Sequence, residues 1–436
     1  MCARSMSEHS MKNKLLGVFA GVLVLSTARP ALALQPLPTF LASGKTANLD
    51  NKVAAATAAQ RTFEADQAWD RLLPTLSMRA AYTRNQYEAI VRLPTGTATI
   101  TPKNQLDATF TVDVPLVDLG AWSRIGAAKA TAEAAKARLL VSEDSIQKTV
   151  AQTYTRIVAA EALVDAAKRS IAAAEANLDV VKLRKGAGTA SDLDVERASA
   201  EVSRAEQNLA DATYTRITAR QALASLSGVV PTDGAPPLDD DLHAEPALEA
   251  WLGSTLAALP TVKSASLDAV AAKKNESAAW DALLPVVSAT ATERFTNAVG
   301  FGTSPYWAAG VVATWKLDFG TYDGAKAYAA ATETALLREA QTKITAHDDI
   351  FDAWHQVKAQ IAKSTAARAE MKASAHAAEL AHDRYGIGTG TQLEVLQAER
   401  DAFSGEVARI QADADLIYAR ALLRIVSGRA PTIGAS

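Results

Sequence analysis

The side chains that most readily suggest chemistry are four histidines in the second half of the sequence. They are His347, His355, His376 and His382. Imidazole nitrogens bind zinc, but a zinc site on one helix needs two histidines four residues apart, and neither such a pair nor an H-E-x-x-H motif occurs. The only cysteine, Cys2, lies at the very start of the chain. We therefore interpret these histidines as helix-surface residues and predict no metal site.

Two further segments resemble ligand-binding loops. Residues 386–390 (GIGTG) resemble a phosphate-binding loop, but they follow a predicted helix instead of a strand and lack the P-loop lysine. Residues 239–241 are three aspartates that could begin a calcium site, but no ladder of ligands follows them, so we interpret them as part of a solvated linker. No pair of nucleophile and base stands out. The sequence thus predicts neither an enzyme nor a bound cofactor.

The elements that must position any site are long helices. No proline occurs from Leu116 to Val230 or from Tyr306 to Ala430, and apolar residues recur there at three- and four-residue spacing. The pattern predicts helices over 119–185, 191–227, 319–385 and 391–427, with shorter helices over 45–73 and 250–284. The helices over 119–185 and 319–385 would each extend roughly 100 Å. Such a length is typical of a coiled-coil duct and is more than a compact domain needs.

The chain contains two copies of one pattern. WDRLLP at 69–74 recurs as WDALLP at 280–285, and GAGT at 186–189 recurs as GIGT at 386–389. The offset between copies falls from 211 to 200 residues, so the first copy carries 11 extra residues, which we place in the surface segment around Gly96. We divide the chain into a signal peptide at 1–33, a first repeat at 34–228, a linker at 229–247, a second repeat at 248–428 and a tail at 429–436.

Between the helices of each copy the apolar period changes to two, which indicates strands. We predict one β-hairpin at about 75–116 and another at about 286–317, each with apolar residues on one face and polar residues on the other. Strands of about ten residues with this alternation are typical of a membrane barrel. Trp307 and Trp315 would lie roughly 27 Å apart along one strand and could mark the two membrane interfaces. The alternative is one face of a soluble sandwich, which would leave the long helices unexplained.

The start of the chain is typical of a secretory signal. Lys12 and Lys14 precede an apolar stretch at 15–25, and Ala31-Leu32-Ala33 forms an A-x-A cleavage site. Cleavage would remove four of the 45 basic and one of the 48 acidic residues, which leaves a net charge near −6. A mildly acidic exported chain is a poor candidate for binding nucleic acid.

The number of strands predicts the number of subunits. Two hairpins supply four strands per chain, and four strands cannot close a barrel in lipid without unpaired backbone groups. Eight strands from two chains would fill their own bore with side chains. Three chains supply twelve strands, which is the smallest of these assemblies expected to hold water.

The repeats closely resemble the TolC outer-membrane efflux family across nearly all of the mature chain. The resemblance rests on Leu-Leu-Pro before each hairpin, Asp-Leu-Gly or Asp-Phe-Gly after it, and Gly-x-Gly-Thr at each helical turn, in this order and twice. It implies a fold that is mostly α with membrane β: a trimeric 12-stranded outer-membrane barrel continued by an α-helical coiled-coil tunnel through the periplasm. It also implies a periplasmic adaptor, an inner-membrane pump of RND or ABC type, and transport without chemistry.

The resemblance further implies two kinds of site at the helix-hairpin tips. The constriction at the tunnel entrance would involve Glu394, Gln397 and Tyr385. The adaptor-docking residues would be Lys185, Gly186, Ala187, Gly188, Thr189, Gly386, Ile387, Gly388, Thr389 and Gly390. Gln397 is neutral where the family can carry a second carboxylate, and Gly390 stands where the family's gating network can have an arginine. Glu394 also lies three residues after Thr391, as Asp194 lies after Ser191, so a capping box is an alternative role that is compatible with the first.

Three functions compete at this stage. The first is the exit duct of a tripartite efflux system for small molecules, located in the outer membrane of a Gram-negative bacterium. The second is the exit duct of a type I protein secretion system, which can use the same fold. The third is a soluble periplasmic coiled-coil adaptor, although adaptors usually have a single helical hairpin.

Overall fold

The structure is a computed structural model that describes residues 34–94, 96–234, 236, 238, 240–253, 256–316 and 318–431. The predicted signal peptide at 1–33 lies outside the described residues. The described chain is mostly helical, with a four-stranded sheet at one end of the long helices.

The four long helices occur where proline is absent from the sequence. They are α3 (Leu119–Gly186), α4 (Asp192–Ser227), α7 (Phe319–Gly386) and α8 (Gln392–Val426). Their ends agree with the predicted bounds to within one residue. The first helix of each pair has 68 residues, which corresponds to a length of roughly 100 Å. Asp118 and Asp318 cap these two helices, and their side chains accept hydrogen bonds from the amides of Ala121 and Thr321 at 2.8 and 2.7 Å.

The short helix predicted over 45–73 is present as α2 (Leu49–Asp70), but the chain also forms a separate α1 (Leu37–Ala47) before it. Asn48 between them has extended backbone angles, and its side chain caps α2 by accepting a hydrogen bond from the Asp50 amide at 2.8 Å. Asparagine favours this role over a helix interior because its side chain competes for backbone hydrogen bonds. Helix α2 then ends before Leu73, which precedes a proline and therefore disfavours helical angles.

The helix predicted over 250–284 is also interrupted. The chain forms a short α5 (Glu249–Leu252), a single 3₁₀ turn (Leu256–Ala258) and then α6 (Pro260–Asp281). Leu259 has extended backbone angles because the next residue is a proline. The proline itself suits the first turn of α6, since the amide hydrogen it lacks would have no helical partner there.

The sheet contains the predicted strands and one addition. Strands β1 (Thr75–Arg84), β4 (Asn104–Val117), β5 (Val286–Thr296) and β6 (Tyr306–Thr314) pair antiparallel in the order β1-β4-β5-β6. Between β1 and β4, strands β2 (Ala89–Leu93) and β3 (Gly96–Thr101) form a separate hairpin. The first β-hairpin at 75–116 is thus not a simple hairpin, and the extra residues of the first copy lie in this projection.

The register of the sheet gives its two faces different chemistry. Leu76 lies opposite Val112, and Met78 lies opposite Phe110. Ala289 of the next strand lies opposite both Val114 and Val311. Threonine and serine dominate the other face. Many of the apolar side chains are exposed, including Leu76 at 73% and Val311 at 67%. This apolar sheet face is therefore uncovered in the single chain.

The helices pack as a layer in which α3 is central. Helices α2 and α4 both contact α3, while α6 and α8 contact both α3 and α7. Alanines of α3, such as Ala134 and Ala167, are almost fully buried and allow close helix spacing. Larger side chains form a cluster where α1 meets α3 and α4, around Phe40, Ile157 and Leu223. Among the described helices, none combines the length and the apolar character that a membrane span would need.

The prediction of a solvated linker is wrong at Asp240, which is held by a buried arginine; Asp241 is exposed, and Asp239 lies outside the described residues. Arg420 of α8 is only 5% exposed, and its guanidinium contacts Asp240 at 2.9 and 3.1 Å and Glu245 at 2.6 Å. It also donates to the carbonyl of His243 at 2.8 Å. A buried arginine needs partners for its charge and its hydrogen-bond donors, and the linker folds back to supply them. Asp241 remains 57% exposed and pairs with the ring of His243.

Candidate functional site at the helix-hairpin tips

The two helical hairpins end in turns of the same construction. The Gly188 amide donates to the carbonyl of Lys185 at 2.9 Å, and the Gly388 amide donates to that of Tyr385 at 3.1 Å. Gly188 and Gly388 have φ of +76° and +82°, a conformation that favours glycine. The predicted docking residues lie in and around these turns, and all of them are exposed except the half-buried Gly390. The tips therefore offer two small, open backbone surfaces.

Gly390 has a local reason to be glycine. A Cβ atom there would lie 3.0 Å from the amide nitrogen of Tyr385 and 3.2 Å from the carbonyl carbon of Arg384. Its own amide donates to the carbonyl of Arg384 at 2.9 Å. The turn thus closes against the last residues of α7, and a side chain at this position would force the two segments apart.

Both tips carry the predicted capping boxes. The Ser191 hydroxyl accepts from the Asp194 amide at 3.2 Å, and the Asp194 carboxylate accepts from the Ser191 amide at 3.0 Å. Thr391 and Glu394 make the same pair of bonds at 3.3 and 3.1 Å. The capping role of Glu394 is therefore confirmed. Its side chain remains 45% exposed and lies 3.9 Å from Arg384.

The three residues predicted for the constriction do not share one surface. Glu394 and Gln397 lie one turn apart at the start of α8, and both are exposed. Tyr385 is only 8% exposed and packs between the two hairpins against Val181, Ala198 and Val395. A lining role for Glu394 and Gln397 stays a prediction, whereas the ring of Tyr385 belongs to the packing between hairpins.

Arg184 joins the two tips and was missed by the sequence analysis. Its guanidinium lies over the ring of Tyr385, 4.0 Å from the centroid. The same group donates to the carbonyls of Tyr385 and Gly386 at 2.7 and 2.9 Å. These carbonyls belong to the C-terminus of α7, where a positive charge is favoured. The only sign of this contact in the sequence is a basic residue in the last turn of α3. The spacing of residues does not reveal that its partner lies on the other hairpin.

A polar layer lies behind the tips, between the two hairpins. Asn177 of α3 accepts from the Gln392 amide group at 3.3 Å and donates to Glu399 at 3.4 Å. Arg400 of α8 donates to Glu201 of α4 at 2.7 Å. An open groove of about 810 Å³ lies along these contacts, with both charges and alanines on its walls. The hairpins are thus held together by polar groups that a rearrangement of the tips would have to separate.

Glu399 makes this layer sensitive to pH. Burial raises the pKa of its carboxyl above the ordinary value, and His382 at 2.8 Å opposes the effect. A raised pKa means that the folded chain binds more protons than the unfolded chain, so this group's contribution to stability falls as pH rises through the folded pKa. We expect Glu399→Gln to raise the temperature of thermal unfolding at pH 8 and to lose that advantage at pH 4. Circular dichroism melts at both pH values test this.

The control for this experiment is Glu379→Gln, which alters an exposed carboxylate that lines the same groove from α7. It should change the melting temperature little at either pH. An equal stabilisation by Glu399→Gln at both pH values would show that the effect does not come from the charge of the buried Glu399 carboxylate.

The other histidines have local partners. His347 lies 3.3 Å from Asp348 and His376 lies 3.4 Å from Glu379. The ring of His355 packs against Phe351 and Trp354, with centroids 4.4 and 4.8 Å apart. Across the part of the chain that the structure describes, no group of three or more histidine, cysteine, aspartate or glutamate residues is arranged to hold a metal ion.

The two predicted interface tryptophans lie at opposite ends of β6. Trp307 is its second residue and Trp315 follows its last, and they are 78% and 64% exposed. The indole nitrogen of Trp315 donates to the carbonyl of Leu283 at 2.9 Å, which ties the end of the strand to the end of α6. Both positions therefore suit exposed aromatic anchors, and their place in a membrane stays a prediction.

Comparison with known proteins gives three consistent results. A family model described as outer membrane efflux protein matches residues 45–229 and 251–429. The outer membrane efflux protein BepC of Brucella suis is 26% identical over 275 residues, which cover 61% of this chain and 57% of BepC. The chain thus spans a little over half the length of this curated relative.

Solved outer-membrane channels have the same fold. The open state of MtrE from Neisseria gonorrhoeae superposes with a TM-score of 0.75 at 20% identity and covers 98% of both chains. CmeC of Campylobacter jejuni gives a TM-score of 0.77 at 17% identity and covers 91% of this chain and 86% of its own. These likenesses confirm the predicted fold class.

Proposed function

Since this chain belongs to the outer membrane efflux protein family, we propose that it is the outer-membrane exit duct of a tripartite efflux system. The single observation that carries the proposal is the four-stranded sheet whose apolar face is exposed and which continues directly into helices of roughly 100 Å. A membrane-embedded sheet and a long helical conduit in one chain together suit passage from the periplasm to the exterior.

The two unpaired edges of the sheet are an argument that the protein forms a trimer. Strands β1 and β6 each have one neighbour among the described strands. In lipid, each unpaired backbone group on such an edge costs several kcal/mol, so both edges need strands from other chains. Pairing β1 of one copy with β6 of the next in a ring of three gives a closed barrel of twelve strands. The apolar sheet face then meets lipid, and the threonine-rich face lines the pore.

The tips support docking on other components of an export machine. The exposed turns and the groove behind them would receive a periplasmic adaptor, and the adaptor would connect the duct to an inner-membrane pump of RND or ABC type. Small residues at Gly186 and Gly386, which have open space around them, allow the partner to approach the backbone closely. Substrates would pass without chemical change, since a duct of this kind needs no catalytic group.

The proposed site of action is the outer membrane of a Gram-negative bacterium, reached through a cleaved signal peptide. BepC and the two solved channels carry outer-membrane names, and this chain's exposed apolar sheet face agrees with that location.

The function is tested by purification from outer-membrane extracts followed by planar-bilayer recording. We expect a trimer that resists detergent until it is heated and that forms long-lived conducting pores. A water-soluble monomer without conductance would contradict the proposal. Deletion of the gene, with drug susceptibility and the secreted proteome measured side by side, separates small-molecule efflux from type I protein secretion.

A second experiment tests the constriction. If three copies of Glu394 meet at the entrance, Glu394→Gln removes three carboxylates, and we expect the concentration of divalent cation that blocks half the current to rise about tenfold. The matched control is Asp194→Asn, which alters the equivalent capping box at the other tip. Both variants keep an oxygen that can accept the capping hydrogen bond and lose only the charge, so an equal change in block for the two would show that Glu394 has no special place at the constriction.

A further inference from the structure

The junction between sheet and helices carries an aromatic pair in each repeat. The rings of Trp69 and Trp122 meet edge to face, with centroids 5.6 Å apart and planes at 78°. Trp280 and Tyr322 occupy the corresponding place in the second repeat, with centroids 5.9 Å apart and planes at 75°. The four rings are between 38% and 53% exposed. The same arrangement thus occurs twice although the second ring differs in type.

Each pair also carries a lysine. The ammonium of Lys129 lies 5.7 Å from the ring centroid of Trp69, and that of Lys326 lies 4.4 Å from the ring centroid of Tyr322. The two lysines are not at equivalent positions, since residue 329 is the counterpart of residue 129. Neither forms an ion pair with any described residue. We name the four rings and two lysines the junction collar.

The collar continues the apolar sheet face. Trp315, which follows β6 in the register of that face, donates to the carbonyl of Leu283 close to Trp280. Leu73 and Leu284, which follow the collar tryptophans in sequence, are 49% and 43% exposed. Along the chain after each hairpin, exposed apolar strand residues are therefore followed by an amphipathic ring and then by a cation. This is the order in which a bilayer changes from hydrocarbon to headgroup.

The net charge of the collar is positive. Of the nearby carboxylates, Asp118 pairs with Arg124 at 3.5 Å, and Asp281 accepts from the Ser123 hydroxyl at 2.6 Å. Asp323, one turn before Lys326, is exposed and forms no ion pair with that lysine. A lysine beside a ring keeps its three N–H donors for an anion on its solvent side. Phosphate oxygens suit these donors, and the adjoining rings suit the glycerol and first methylene groups of a lipid.

We infer that the junction collar binds the phosphate headgroups of phospholipids in the periplasmic leaflet, with Lys129 and Lys326 as the two headgroup positions of each chain. This inference rests on the proposed function, since it requires the apolar sheet face to lie in the membrane. The collar fixes the height of the duct in the bilayer and couples the helical conduit to the lipid surface. Phospholipid is a ligand of this chain and not only its solvent.

The test is native mass spectrometry of the full-length protein released from nanodiscs that contain phosphatidylglycerol. We expect the double variant Lys129→Gln/Lys326→Gln to retain roughly half or fewer of the lipids retained by the unmodified protein. The control Lys168→Gln/Lys372→Gln makes the same charge change on α3 and α7 at positions more than 50 Å along the helices, by the helical rise of about 1.5 Å per residue. It should retain as many lipids as the unmodified protein.

Two results would overturn the inference. One is equal lipid retention by both double variants. The other is displacement of the lipids by millimolar inorganic phosphate, which would indicate a site for free anions. Conductance of the same preparations distinguishes this inference from the proposed function. If the double variant forms conducting pores and retains as many lipids as the unmodified protein, only lipid binding by the collar is rejected. If the unmodified protein forms no pores, the function as a duct is rejected.

Discussion

Arg420→Met is expected to lower the free energy of unfolding by about 3–5 kcal/mol, the usual cost of removing one partner from a buried ion cluster. The change would leave the carboxylates of Asp240 and Glu245 without their guanidinium partner, and their side chains are only 10% and 7% exposed. The linker between the repeats would then lose its attachment to α8. The measurement is thermal unfolding of the purified protein, followed by circular dichroism at neutral pH.

The control for this variant is Arg338→Met, which replaces an exposed arginine of α7 and should change stability by less than about 0.5 kcal/mol. A variant that removes all three charges, Asp240→Asn/Glu245→Gln/Arg420→Met, should recover much of the loss, since no uncompensated charge remains. If Arg420→Met alone melts at the temperature of the unmodified protein, the cluster does not hold the linker.

The second large effect is expected for Arg184→Ala. This change removes two charge-assisted hydrogen bonds and a cation–π contact between the tips, together worth about 2–3 kcal/mol. Separation of the hairpins becomes easier by the same amount. We expect resting conductance in planar bilayers to rise at least about thirtyfold, since each 1.4 kcal/mol is a factor of about ten. Cells that carry the variant should also become more sensitive to large antibiotics.

The matched control is Arg384→Ala at the corresponding position of the second repeat. Arg384 lies 3.4 Å from the carbonyl of Thr389 and 3.9 Å from Glu394, both within its own hairpin. Its loss does not release one hairpin from the other, so conductance should stay near that of the unmodified protein. Equal increases for the two variants would show that the contact between hairpins is not the restraint.

Most of the fold can be predicted from patterns of residues that are close together in the sequence. The long proline-free segments and the change of apolar period predicted the four long helices and the strands, because each depends on residues close in sequence. Breaks within helices were harder to foresee. Asn48 interrupts the first short helix through a side-chain bond that periodicity does not reveal, and the arrangement before Pro260 depends on packing around Trp251.

In the candidate site too, contacts between residues close in sequence were predicted, whereas contacts between distant residues were not. The capping boxes at Thr391 and Ser191 were predicted because they are closed within four residues. The contact of Arg184 with Tyr385 joins residues 201 apart, and that of Arg420 with Asp240 joins residues 180 apart. In the sequence, Arg184 and Arg420 cannot be distinguished from ordinary surface arginines. The interpretation of the aspartates as solvated failed at Asp240 for this reason.

The hairpin formed by β2 and β3 has no counterpart among the described strands of the second repeat. In an assembly of three chains, the outer rim would therefore bear three projections, while the opposite end bears six similar turns. An antibody raised against the projection would meet three identical epitopes on each particle and could engage two of them at once. Avidity would then favour binders whose reach matches the spacing of these epitopes, which makes the projection a suitable target for labelling the protein on intact cells.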